Sequence, residues 1–177
     1  MKKRAVLVIA EKDFRDEEYL HPKRILEEAG VEVATASTTT NQVSGKLGAQ
    51  VNPDLLVSQI QPEEFDCLVF VGGGGSEQYF DDLAVHALAK DFLEKGKVLA
   101  AICIAPVVLA RAGLLSGKRA TVYIDGAEEL KKSGAVYTGK AVETDGRVIT
   151  GNGPQAARDF GRELVRVLTE CCGEGCK

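Results

Sequence analysis

The chain has 177 residues, 45% of them hydrophobic, a length and composition that fit one sizeable core and a single domain. Its formal net charge of -4, with both signs scattered along the chain, leaves no basic footprint for nucleic acid and no polybasic segment for a membrane surface. Small molecules or proteins are the expected partners.

The chain opens on Met1-Lys2-Lys3-Arg4 and an apolar run over 5–10 that stops at Glu11-Lys12-Asp13. That run is too short for a secretory core or a bilayer span, and it reads as the first buried strand of a cytoplasmic protein. A helix is expected over 18–29, closed by Gly30 as a left-handed terminator, and a second strand over 31–36. The run 67–71 predicts a third strand, 82–94 a helix ended at Gly96, and 98–103 a fourth strand. A helix over 105–115 follows. Asp145-Gly146, between the apolar-polar runs 141–144 and 147–150, signals a β-hairpin. The last expected helix covers 154–171.

Near-continuous apolar strands alternating with amphipathic helices imply a parallel sheet covered on both faces. Right-handed crossovers then give an α/β, flavodoxin-like, doubly wound parallel sheet sandwiched by helices, with a small antiparallel β-hairpin. One domain over 1–170 is expected, followed by a flexible cysteine-rich tail at 171–177. The five cysteines have no regular spacing that would mark a disulfide framework. Cys171, Cys172 and Cys176 lack the paired spacing and fourth ligand of a zinc site, so no metal is expected.

In a sheet of this type ligands bind beyond the carboxyl ends of the strands. Three segments fall there. Ile102-Cys103-Ile104-Ala105-Pro106 joins strand to helix with almost no loop, a turn that strains the backbone and projects the sulfur outward. The following helix should aim its positive end at that sulfur and lower the thiol pKa; the plain alternative is a buried core cysteine. Gly72-Gly73-Gly74-Gly75-Ser76 can bring backbone amides to a reacting oxygen, cradle a phosphate, or simply turn the chain. Its spacing matches neither nucleotide-binding glycine motif. The acidic stretch 11–18 repels a flavin phosphate, and Val71-Gly72-Gly73 lacks the aspartate a phosphorylated receiver domain requires. Within that stretch Glu18, under Tyr19 and Leu20, is the carboxyl group expected to be kept protonated by burial and to hydrogen-bond the Cys103 sulfur.

Together, Asp13-Phe14-Arg15-Asp16-Glu17-Glu18-Tyr19 with Pro22, Val71-Gly72-Gly73-Gly74 and Ala100-Ala101-Ile102-Cys103-Ile104-Ala105-Pro106 resemble the ThiJ/PfpI superfamily. That superfamily includes the parkinsonism-associated protein deglycase, similar bacterial stress proteins and the archaeal intracellular protease. The likeness extends through 113–118 and 150–154. It implies Cys103 as nucleophile, Glu18 as the carboxyl group contacting it, and the Gly73 and Ile104 amides facing a bound oxygen. Gly72, Tyr123 and Asn152 fall among pocket positions. Ile104 stands where protease-like members carry histidine, which argues against a peptidase. Of the two histidines, His21 shares a helix face with Glu18 and is a pocket candidate, while His86 reads as a helix-surface residue.

The resemblance further implies a stress-response enzyme acting on small reactive carbonyls or their glycated adducts, without metal or organic cofactor, working as a homodimer. A redox sensor or chaperone acting through Cys103 oxidation is the alternative, and hydrolysis of amides or peptides, weakened by Ile104, is a third reading.

Overall fold

The computed structural model of the chain describes residues 2–170. The expected cysteine-rich tail at 171–177 lies outside the described residues.

Seven strands build the central sheet: β1 (Arg4–Val8), β2 (Glu32–Ser37), β3 (Leu55–Leu56), β4 (Cys67–Phe70), β5 (Val98–Ile102), β6 (Val142–Asp145) and β7 (Val148–Gly151). Their spatial order is β6-β7-β5-β4-β1-β2-β3. Every neighbouring pair is parallel except β6 with β7. The core order β2-β1-β4-β5-β7 is the flavodoxin-like winding expected from the sequence, with β3 and β6 added at the edges. The predicted hairpin is present, but it is no separate decoration. Its second strand supplies the fifth parallel strand, pairing Val148 to Gly151 with Leu99 to Ile102.

The strands are buried on both faces because each face has its own core. Val6, Val8, Leu68, Phe70, Leu99 and Ala101 pack with α2 (Leu83–Glu94), α3 (Pro106–Arg111) and α4 (Ala127–Lys132). Their neighbours Ala5, Leu7, Val69, Ala100 and Ile102 point the other way, onto α1 (Asp16–Glu28) and α5 (Ala157–Glu170). Helix α3 is only half the expected length, because Gly113 adopts a left-handed φ of 75° and stops it. Proline fixes φ for the helical start at 106 but leads 154–156 into a short tight turn before α5. No helix among the described residues is long and apolar enough to cross a membrane.

A small second sheet of Lys12–Phe14, Val43–Gly45 and Gln50–Val51 sits beyond the end of β1. It is fastened to α1 by Asp16, a buried carboxylate that accepts the Leu47 N–H at 2.8 Å and the Ala49 N–H at 2.7 Å. Replacing it removes two charge-assisted bonds and leaves the amides without a partner, at a cost of about 2 to 4 kcal/mol. Asp16→Ala is therefore expected to lower the urea-unfolding free energy by that amount; a stability equal to that of the parent chain contradicts the assignment.

Candidate active site

Cys103 immediately follows β5 and has a φ of 65°, a left-handed conformation that costs a non-glycine residue about 1 to 3 kcal/mol. Neighbouring backbone holds it there. Its N–H donates to the Gly151 carbonyl at the end of β7 at 2.9 Å, and its carbonyl accepts the Tyr123 N–H at 2.7 Å. Ile102 behind it is fully buried, so the turn cannot relax inward. The sulfur is left half-buried in the wall of an open cleft of about 860 Å³.

Glu18, in the first turn of α1, is fully buried against this sulfur. No hydrogen bond of ordinary geometry closes on either carboxyl oxygen, although the Cys103 thiol and the Gly72 N–H both act on its charge. A carboxylate so poorly solvated holds its proton. Burial pushes Glu18 up to about 7, against smaller opposing pulls from Cys103 and Arg15. Gly72 is what allows the contact. A Cβ there would lie 2.5 Å from both the Cys103 Cβ and Glu18 Oε2.

Gly73 and Gly75 are explained by close approach to the 12–15 segment. A Cβ on Gly73 would lie 2.3 Å from the Asp13 carbonyl oxygen, and one on Gly75 would lie 1.8 Å from that of Lys12. The Arg15 N–H donates to the Gly72 carbonyl at 2.9 Å, fixing the segment on the run. The backbone amides of Gly73 and Ile104 act on the Cys103 sulfur in the sense that favours thiolate.

The expected lowering of the thiol pKa is not what the surroundings produce. Burial first, then the facing Glu18 charge, push Cys103 up to about 12, and the two amides offset only part of this. Helix α3 has six residues and begins only at Pro106, which leaves it a weak dipole. Burial and the facing carboxyl group, rather than the helix, govern this thiol.

Among the expected site residues, Glu18, Gly73, Cys103, Ile104, Tyr123 and Asn152 line the cleft. Gly72 lies just behind it, between the Glu18 and Cys103 side chains. His21 is half-buried on α1 and is not among the lining residues. His86 is half-buried too, with Nε2 bonded to the Phe80 carbonyl at 2.8 Å, and it tethers the start of α2. Neither imidazole lines the cleft with Cys103. The cleft also contains Arg15, Lys46, Glu77, Asp125 and Tyr137, which the sequence reading passed over. Arg15 was detectable from its place beside Glu18, whereas Lys46 reaches the cleft only through the second sheet. No cluster of metal-ligating side chains occurs among the described residues.

The family model for the DJ-1/PfpI family matches residues 3–167. An uncharacterised protein of Methanocaldococcus jannaschii is 43% identical over 168 residues, covering 93% of this chain and 82% of its own. Deglycase PfpI of Pyrococcus furiosus is 34% identical over 164 residues, covering 92% and 98% of the two chains. Among solved structures, a ThiJ/PfpI domain protein from Brachyspira murdochii superposes with a TM-score of 0.93 at 34% identity, over 96% of this chain and 99% of that one. The match over nearly its whole length, on the same sheet winding, places this chain in the DJ-1/PfpI family.

Proposed function

We propose that the protein is a cysteine-dependent enzyme that acts on reactive carbonyls, or on their early adducts with amines and thiols, with Cys103 as nucleophile and Glu18 as proton relay. The observation that carries this reading is the buried Glu18 carboxyl group placed against the Cys103 sulfur, with the Gly73 and Ile104 amides acting on the same atom. Relatives named as deglycases support it.

A thiol of raised pKa needs a base within reach, and Glu18 is that base once ionised. Transfer of the Sγ proton to Glu18 gives a thiolate facing a carboxylic acid, with the two amides stabilising the sulfur. The thiolate attacks the aldehyde carbon of a dicarbonyl such as methylglyoxal, and the new alkoxide takes the proton to give a hemithioacetal. Glu18 then removes the hydrogen on that carbon and returns a proton to the neighbouring carbon. One carbon is oxidised and the other reduced, so no redox partner is needed. Water cleaves the resulting thioester to lactate and regenerates the thiol. A Cys-His peptidase dyad is disfavoured, since neither of the chain's two histidines lines the cleft.

The same carboxyl group would hydrogen-bond an oxidised sulfur, which supports a second reading as a peroxide sensor. Mild peroxide followed by mass spectrometry separates the two. Selective addition of two oxygens at Cys103 with negligible carbonyl turnover favours the sensor.

Two kinetic outcomes follow from the enzymatic reading. Cys103→Ser is expected to abolish methylglyoxal loss and lactate formation; undiminished activity contradicts the mechanism. The active pair has lost one proton, so kcat/KM should rise with pH through an apparent pKa near 7 belonging to the Glu18–Cys103 pair. Glu18→Gln should lower kcat/KM by about 100-fold or more and erase that inflection. A variant that keeps the wild-type inflection shows that another group titrates.

A further inference from the structure

Lys46 stands at the tip of the small second sheet and reaches the cleft because that tip is held from two sides. Its own N–H donates to the Phe14 carbonyl at 2.9 Å, and Asp16 fixes the next residue, Leu47, and Ala49 by their amides. The Lys46 ammonium has no acidic partner among the described residues. Arg15, also in the cleft, comes from the segment that packs on the glycine run. Its Nε and one terminal nitrogen bond Glu17 at 2.9 and 3.3 Å, and no hydrogen bond engages Nη1. Its charge acts directly on both Glu18 and Cys103.

Two acids, Glu77 and Asp125, also line the cleft, but both are exposed at its rim. Neither they nor Lys46 are among the main charges acting on Glu18 or Cys103; Arg15 is, opposed at Glu18 by Glu17. The cleft wall therefore offers two cations beside its rim acids, Lys46 without an acidic partner and Arg15 with a donor to spare among the described residues.

We propose that the cleft selects electrophiles carrying a carboxylate or similar anionic group near the reacting carbon, with Lys46 and Arg15 as its receptors. The proposal rests on the assignment of Cys103 as the reacting group and specifies the class of substrate that it meets. Two-carbon oxo acids, and dicarbonyl adducts on the amine or thiol of a free amino acid, have this chemistry. The uncharged dicarbonyl is then the poorer substrate of the same site. An anion drawn to the rim by charges several ångströms away gains about tenfold for a reversal of one of them, and strong salt removes most of the gain.

Alkylation tests this without relying on turnover. The rates of iodoacetate, an anion, and iodoacetamide, its neutral counterpart, are measured at Cys103 by mass spectrometry of its peptide in the full chain. Relative to the same cysteine in the unfolded chain, folded Cys103 is expected to favour iodoacetate about tenfold. The preference should fall about tenfold in Lys46→Glu and shrink toward that of the unfolded chain in 1 M salt. A folded-state ratio equal to the unfolded one, or one unmoved by both Lys46→Glu and salt, overturns anion selection. Loss of dicarbonyl turnover with the alkylation preference intact overturns the enzymatic reading and leaves the anion site standing. A Cys103 that reacts with neither reagent overturns both.

Discussion

The contact between a buried carboxyl group and a thiol, made across a glycine with no side chain, is the constraint around which this structure is arranged. Glu18 and Cys103 come from separate elements at the carboxyl end of the sheet, one from the helix after β1 and the other from the turn after β5. They meet because β4 lies between β1 and β5 and leads through Val71 to Gly72, the one residue type that leaves room for both. Burial there is unfavourable for either charge, so both groups are pushed toward their protonated forms.

Such a site requires rigidity elsewhere. The left-handed backbone at Cys103 and the unsatisfied oxygens of Glu18 each cost stability, and only an over-determined surrounding can hold them. The fully buried strands on either side provide it, with Gly151 and Tyr123 clamping the Cys103 peptide groups. The same logic extends outward. The 12–15 segment that lies on the glycine run also carries Arg15 to the cleft, and Asp16, the next residue, ties down the second sheet that presents Lys46. Local strain at Cys103, the glycine-rich packing and the cations of the cleft are consequences of one folded arrangement.

Much of this was legible in the sequence because buried strands, terminator glycines and a strand-to-helix turn all leave local marks. Cys103, Glu18 and the winding of the sheet were read from such marks. The hairpin at 142–151 was visible, but its membership of the main sheet was not, since pairing of Ile149 with Ala100 is a long-range choice. The direction of the thiol pKa was misread for a similar reason. A turn before a helix suggests a stabilised thiolate, whereas the opposing effect of burial and of the Glu18 charge exists only once α1 is folded against β5. The placement of Lys46 depends on the Asp16 hydrogen bonds to Leu47 and Ala49, 31 and 33 residues away, a separation that no local pattern reports. Helical phase likewise suggested His21 for the pocket, but phase fixes only the face of α1, and Pro22 beside it is turned toward α5.

The central claim concerns the proton held by Glu18. It is tested most directly by following the carbon-13 resonance of the Glu18 carboxyl carbon against pH in the folded protein. The account predicts a midpoint near 7, set chiefly by burial. A midpoint in the ordinary carboxylate range, near 4.5, would mean that this group is already ionised in mild acid and cannot serve as the proton store beside Cys103.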